Sequence, residues 1–242
     1  MMSVATVRTL PRELEAAAAS LGRGEPVLIF DAPDREGETD FVFLSSTATP
    51  ELVRLARHDA GGLICTALSD ELRMRLGLPY FSDLLELGEG RYPILGEVKR
   101  QRLRYDQRSA FGITVNHRTN FTGVPDNDRA ATIRALGEFA RDAPALDADE
   151  LKARFGREFT SPGHVPLLYA APALLRERKG HTELAISLAR MAELPESVTV
   201  CEMLGDSGGP RSPEAARRYA AAHGWPFLEG RAITEAFDRW SG

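Results

Sequence analysis

Val27-Leu28-Ile29-Phe30, a charged connection from Asp31 to Asp40, and then Phe41-Val42-Phe43-Leu44 form the stretch whose reading decides the fold. Each flank is an unbroken apolar run rich in β-branched and aromatic residues, which reads as a buried strand. Strands apolar on both faces need cover on both, and helices supply it. The connection contains Asp34-Arg35-Glu36-Gly37-Glu38-Thr39-Asp40, with carboxylates at alternate positions. In an extended conformation these would share one side, offset locally only by Arg35.

Working outward, Pro11 fits the first turn of a helix over residues 11–22, which Gly22 and Gly24 close. Downstream, Pro50 with Leu52, Val53, Leu55 and Ala56 opens a helix that Gly61-Gly62 ends before a strand from Leu63 to Leu68. Phe111 to Val115 reads as a strand, and Asp126 begins a helix running through Ile133, Leu136 and Phe139-Ala140. Pro172 can start a short helix to Arg178, and Thr182 opens one with Leu184, Leu188 and Met191 on one stripe. Val198 to Cys201 is a strand, with helices from Pro213 to His223 and from Ala232 to Trp240. Two stretches lack periodicity. Residues 77–110, with Pro79, Gly88, Gly90, Pro93 and many arginines, predict a long excursion over the surface or a partner subunit, and Asp142 to Arg157 is simply polar. Strands and helices interleave without strict βαβ regularity. The expected fold class is therefore α+β, a three-layer arrangement of a mixed, twisted sheet with helices on both faces, in one domain over residues 1–242.

Composition narrows the function. The chain is 43% hydrophobic and 27% charged, the mixture of a folded globular protein. Its net charge of −5 lacks the basic surface that displaces counterions from nucleic acid. No apolar run approaches the roughly 20 residues of a membrane span. Met1-Met2-Ser3-Val4 is not the cationic start of an export signal, so the expected location is the cytoplasm. Cys65 and Cys201, each inside an apolar run, read as buried reduced thiols.

Several segments could carry chemistry. The acidic connection is either a solvated turn or a set of hard oxygen ligands of the kind that suit Mg²⁺ or Mn²⁺. Arg178-Lys179-Gly180-His181-Thr182-Glu183 lies at a helix start, where free N–H groups and the dipole favour an anion. Its two cations, its glycine and its threonine hydroxyl make a phosphate cradle, unless they are only a basic helix end followed by a capped helix. His181 can add an imidazole ligand. Ser161-Pro162-Gly163-His164 reads as a turn fixing a histidine, Glu202 stands at a strand end, and Asp126 reads as a helix cap.

Taken in order, Asp34-Arg35-Glu36-Gly37-Glu38, Thr122-Gly123 to Asp128-Arg129, Pro162-Gly163-His164-Val165, Gly180-His181-Thr182-Glu183 and Cys201-Glu202 resemble the successive signature segments of 3,4-dihydroxy-2-butanone 4-phosphate synthase. The resemblance covers roughly residues 11–225. It implies that Glu36 and His181 bind the metal, Mg²⁺ or Mn²⁺ with two ions per site. It also implies that Arg35, Glu36, Asp40, Arg178, Lys179, Gly180, His181 and Thr182 form the substrate site, with His164 and Glu202 catalytic. The implied reaction takes D-ribulose 5-phosphate to 3,4-dihydroxy-2-butanone 4-phosphate and formate, by enolisation, dehydration, skeletal rearrangement and loss of one carbon, in a homodimer serving riboflavin biosynthesis. Length and the cysteine count imply the monofunctional form rather than a fusion to GTP cyclohydrolase II. Ala32-Pro33, Ser161 and Lys179 depart from the common pattern of that family. Two other readings, a non-catalytic phosphate- or metal-binding relative and a different sugar-phosphate isomerase or aldolase, keep the same scaffold. Pure binding, however, needs no base.

Overall fold

The computed structural model describes residues 10–98, 106 and 108–241. The reading of Met1 to Val4 and the central part of the 77–110 excursion lie outside these residues. The described elements run α1 (Arg12–Gly22), β1 (Val27–Phe30), β2 (Thr39–Leu44), α2 (Pro50–Asp59), β3 (Cys65–Leu68), α3 (Asp70–Leu76), α4 (Phe81–Gly88) and α5 (Ile94–Val98). They continue with β4 (Phe111–His117), α6 (Asp126–Asp142), α7 (Ala148–Glu158), β5 (Phe159–Tyr169), α8 (His181–Met191), β6 (Ser197–Glu202), α9 (Pro213–His223), β7 (Phe227–Glu229) and α10 (Gly230–Ser241).

The strands form one sheet in the order β4-β5-β3-β6-β2-β1-β7. The β1–β7 and β3–β5 pairs are parallel and the other four antiparallel, so the sheet is mixed as expected. Alternation along the strands divides two cores. Phe41, Phe43 and Cys201 meet α2, α6 and α9 on one face. Val27, Ile29, Val42, Leu44, Cys65 and Val200 meet α1, α8 and α10 on the other. Both thiols are buried, and desolvation pushes each above its ordinary range, as befits inert core cysteines.

Several expectations need correction. The polar stretch from Asp142 to Arg157 contains α7, started by a capping box in which Asp147 accepts the Glu150 N–H and Glu150 accepts the Asp147 N–H. Its amphipathic face is narrow, with Leu151 buried and Phe155 stacked on the aromatic cluster of Phe139 and Phe159, so composition hid it. The 77–110 excursion carries the short helices α4 and α5, neither of which has a buried residue. Ser161 to His164 is no turn. It lies within β5, where pairing to β4 jumps from Val165 opposite Val115 to Thr160 opposite Asn116, and the Ser161–Pro162 peptide is cis. Asp126 does not cap α6. It occupies the first helical position after Pro125 and pairs with Arg57 and Arg129 instead. Strand β7 escaped the sequence reading because three residues are too few to show a period.

Candidate active site

The acidic connection is a hairpin turn between antiparallel β1 and β2, not an extended segment. Asp31, fully buried at the end of β1, organises it by accepting the N–H groups of Glu36 at 3.1 Å and Glu38 at 3.1 Å. Gly37, at φ 69°, takes the left-handed conformation that turns the chain between them. The four alternating carboxylates therefore do not share a side. Asp34 and Arg35 face a cavity of about 620 Å³ bounded by α10, together with Lys179. Glu36 and Asp40 line a second cavity of about 250 Å³, whose other walls include Cys65, Arg178, His181, Thr182 and Glu202. Arg178 lines both cavities.

The elements explain this convergence. Asp40 lies in β2, which begins two residues earlier than the apolar run suggested, and pairs directly with Glu202 at the end of β6. Helix α8 starts over the same end of the sheet with Gly180 as its N-cap and no side chain capping it, so its first N–H groups are available to an anion. Its first residues, His181 and Thr182, are buried against the carboxylates. His181 Nδ1 is 3.7 Å from Glu36 Oε2, and its Nε2 donates to the Glu38 carbonyl at 3.2 Å while standing 3.5 Å from Asp40 Oδ1.

The electrostatics are those of a crowded acidic site. Burial pushes the Asp40 carboxyl up to about 8, against the pull of His181 and with help from Glu202, Glu36 and Glu38. Burial opposes protonation of His181, but Asp40, Glu36 and Asp31 outweigh it and push the imidazole up to about 9. Glu36 is held below the usual carboxylate range by His181, whereas burial and the neighbouring Glu36 and Glu202 raise Glu38. Neither oxygen of Asp40 has a hydrogen-bond partner, although the side chain is 1% exposed. A buried orphan carboxylate facing further carboxylates needs a proton or a cation. One ligand atom each from Asp31, Glu36 and His181 lies within 4.8 Å of the others, and two carboxylates with one imidazole fit a hard divalent ion.

On the cationic side of the cavity, Arg178 donates through Nε to Asp106 at 2.8 Å and through a terminal nitrogen to Glu183 at 2.8 Å. Burial works against its charge, yet Glu183 and Asp106 hold the guanidinium above its ordinary value. Asp106 also bonds Arg35 at 3.3 Å, which ties both arginines to one carboxylate. Glu183 is anchored in turn by the Ala171 N–H at 2.9 Å. Asp31, Asp106 and Glu183 were not singled out from sequence. Their roles arise from pairings across 5 to 72 positions, and only the presence of Asp31 at a strand end and of Glu183 within the basic helix-start motif hinted at them.

Among the expected site residues, Arg35 and Lys179 line only the larger cavity and Gly180 neither; His164 also lines neither. It is exposed on β5 and hydrogen-bonded to Asn116. His164 immediately precedes Val165, which pairs with Val115 of β4.

The profile of the 3,4-dihydroxy-2-butanone 4-phosphate synthase family matches residues 15–236. The chain is 45% identical over 225 residues to the 3,4-dihydroxy-2-butanone 4-phosphate synthase of Methanothermobacter thermautotrophicus, covering 93% of this chain and 95% of that protein. It is 44% identical over 232 residues to the enzyme of that name from Methanosarcina mazei, covering 95% of this chain and 92% of the relative. Among solved structures, a 3,4-dihydroxy-2-butanone 4-phosphate synthase in complex with two magnesium ions superposes with a TM-score of 0.70 at 21% identity, over 91% of this chain and 94% of that one.

Proposed function

The chain belongs to the 3,4-dihydroxy-2-butanone 4-phosphate synthase family of enzymes, and on that premise we propose that it converts D-ribulose 5-phosphate to 3,4-dihydroxy-2-butanone 4-phosphate and formate for riboflavin biosynthesis. The observation that carries this reading is the meeting of Glu36, Asp40, His181 and Glu202 with Arg178 and Thr182 around one cavity. A metal-binding half and an anion-binding half share one wall there.

Glu36 and His181 would hold the divalent cation, Mg²⁺ or Mn²⁺, with Asp31 in reach and the acidic surroundings able to support a second ion. When bound, the cation polarises substrate oxygens and so eases proton loss from the neighbouring carbon. The rest falls to the chain. Arg178, Thr182 and the open start of α8 bind the phosphate, with Lys179 and Gly180 completing the turn and Arg35 reaching the same anion from the hairpin. This fixes the sugar so that its oxygens lie over the carboxylates. Glu202 accepts protons at its carboxylate oxygens, while Asp40, pushed up by burial, is suited to returning them, with Glu38, also raised, beside it. His164 contributes from the β5 side. Enolisation, dehydration, carbon migration and formate loss all draw on this set.

We place residues 1–242 in a single domain, since one sheet carries both cores. A homodimer is favoured by the apolar side chains that α4, α5 and the turn between them expose, notably Leu87, Tyr92, Ile94 and Val98. No described helix is long and apolar enough to cross a membrane. We propose a cytoplasmic location. The test is incubation of purified protein with ribulose 5-phosphate and Mg²⁺, followed by quantification of formate. Stoichiometric formate that EDTA abolishes and Mg²⁺ restores is expected. Full activity in metal-free protein would defeat the metal assignment, and absence of formate would defeat the reaction.

A further inference from the structure

Asn116 lies near the end of β4, where the pairing to β5 breaks and residues 161–164 fold over it. The fit is close. A Cβ on Gly163 would come within 1.9 Å of the Val115 carbonyl carbon, and one on Gly123 within 2.4 Å of the Asn116 amide. The enclosed amide has two backbone anchors. Its Oδ1 accepts the His164 N–H at 2.8 Å, and its Nδ2 donates to the Thr122 carbonyl at 3.3 Å. A flipped amide would set donor against donor and acceptor against acceptor at both contacts, so its orientation is determined.

With the amide so fixed, the second hydrogen on Nδ2 faces His164 Nδ1 at 3.0 Å. Oδ1 lies farther from that ring nitrogen, at 3.2 Å, and already accepts the backbone N–H with one of its two lone pairs. The shorter contact favours Nδ1 as the acceptor, and in a neutral imidazole the proton then sits on Nε2. We infer that Asn116 is a positioning residue that holds neutral His164 as the Nε2–H tautomer, so that the ring meets the substrate as a hydrogen-bond donor and not as a base. This rests on the reading of His164 as catalytic. A neutral imidazole in that state can polarise a carbonyl or steady a developing oxyanion, but it has no bare nitrogen to offer. Proton acceptance is thereby left to the carboxylate of Glu202.

The tautomer is directly measurable. Protein labelled with ¹⁵N at histidine, examined by long-range ¹H–¹⁵N correlation at about pH 8.5 where a free imidazole is neutral, should show His164 with bare Nδ1 and protonated Nε2. His164→Gln assigns the signals. Asn116→Asp can still accept the backbone N–H but cannot donate to the ring, so the proton should move to Nδ1. In that variant kcat should fall about 10²-fold, the scale of one proton-transfer or donor group, with KM changed less than about twofold. A protonated Nδ1 in the parent protein would overturn the inference, as would an inverted ring in Asn116→Asp with kcat intact. Full activity in His164→Gln would instead remove the catalytic reading of His164 while leaving the tautomer standing, so the two failures are distinguishable.

Discussion

Replacing Glu36 with Gln preserves shape and one acceptor oxygen but removes the charge that a hard cation requires. The structure sets the scale: Glu36 Oε2 lies 3.7 Å from His181 Nδ1 with 22% of the side chain exposed, so the carboxylate is neither dry nor fully hydrated. A carboxylate and a divalent cation ~4 Å apart in an effective dielectric of ~20 attract by about 8 kcal/mol. Partial solvent screening and the remaining carboxylates reduce this to about 2 kcal/mol, or roughly 30-fold in Mg²⁺ affinity. Glu202→Gln should behave differently. Glu202 is no member of the Asp31, Glu36 and His181 cluster, so Mg²⁺ affinity should change less than about threefold and ribulose 5-phosphate should still bind, while kcat drops about 10²–10⁴-fold with the loss of a base. Calorimetric titration of each variant with Mg²⁺, and with substrate in the presence and absence of Mg²⁺, separates the two defects. Near-normal turnover in Glu202→Gln would make that residue an ordinary strand-end glutamate, and unchanged Mg²⁺ affinity in Glu36→Gln would remove it from the metal site.

In metal-free protein, Asp40 rises from 3.8 to about 8 and His181 from 6.5 to about 9, so both fold with protons that the unfolded chain releases earlier. The stability these protons confer is complete below the unfolded values and is lost as pH rises through the folded ones; Tm should therefore fall between about pH 4 and 9, most steeply between about pH 6.5 and 8 where the two windows overlap, and Mg²⁺ should reduce the fall. Calorimetric scans check this, and an apo-protein Tm that climbs between pH 7 and 9 would contradict it. Asp106 holds both Arg35 and Arg178, so a substrate phosphate must compete with it. Asp106→Asn should lower KM for ribulose 5-phosphate by about 5–10-fold, corresponding to about 1 kcal/mol of charge-assisted hydrogen bonding. Steady-state kinetics would show a raised KM instead if Asp106 serves to position the arginines.

The legible parts of the molecule were those whose cause is local. Val27–Phe30 and Phe41–Leu44 are apolar enough to announce buried strands, and the 178–183 run displays its cations, glycine and threonine in one place. The hairpin geometry was not legible, because it depends on Asp31 gathering two N–H groups and on the left-handed Gly37, neither of which alternation registers. Asp106 and Glu183 were hidden for another reason: a carboxylate that anchors an arginine looks, in sequence, like any other surface acid. His164 was read as fixed by a turn, since a proline and a glycine before it signal one, whereas β5 absorbs them in a break of register against β4.

A divalent-metal site shared by the hairpin carboxylates and the start of α8 is tested most directly by crystals grown or soaked with Mn²⁺ and measured for anomalous scattering. A strong anomalous peak bonded to Glu36 and His181, beside Asp31 and Asp40, is expected, with Glu36→Gln weakening it. No peak there at millimolar Mn²⁺, or a peak bound by other residues alone, would contradict it.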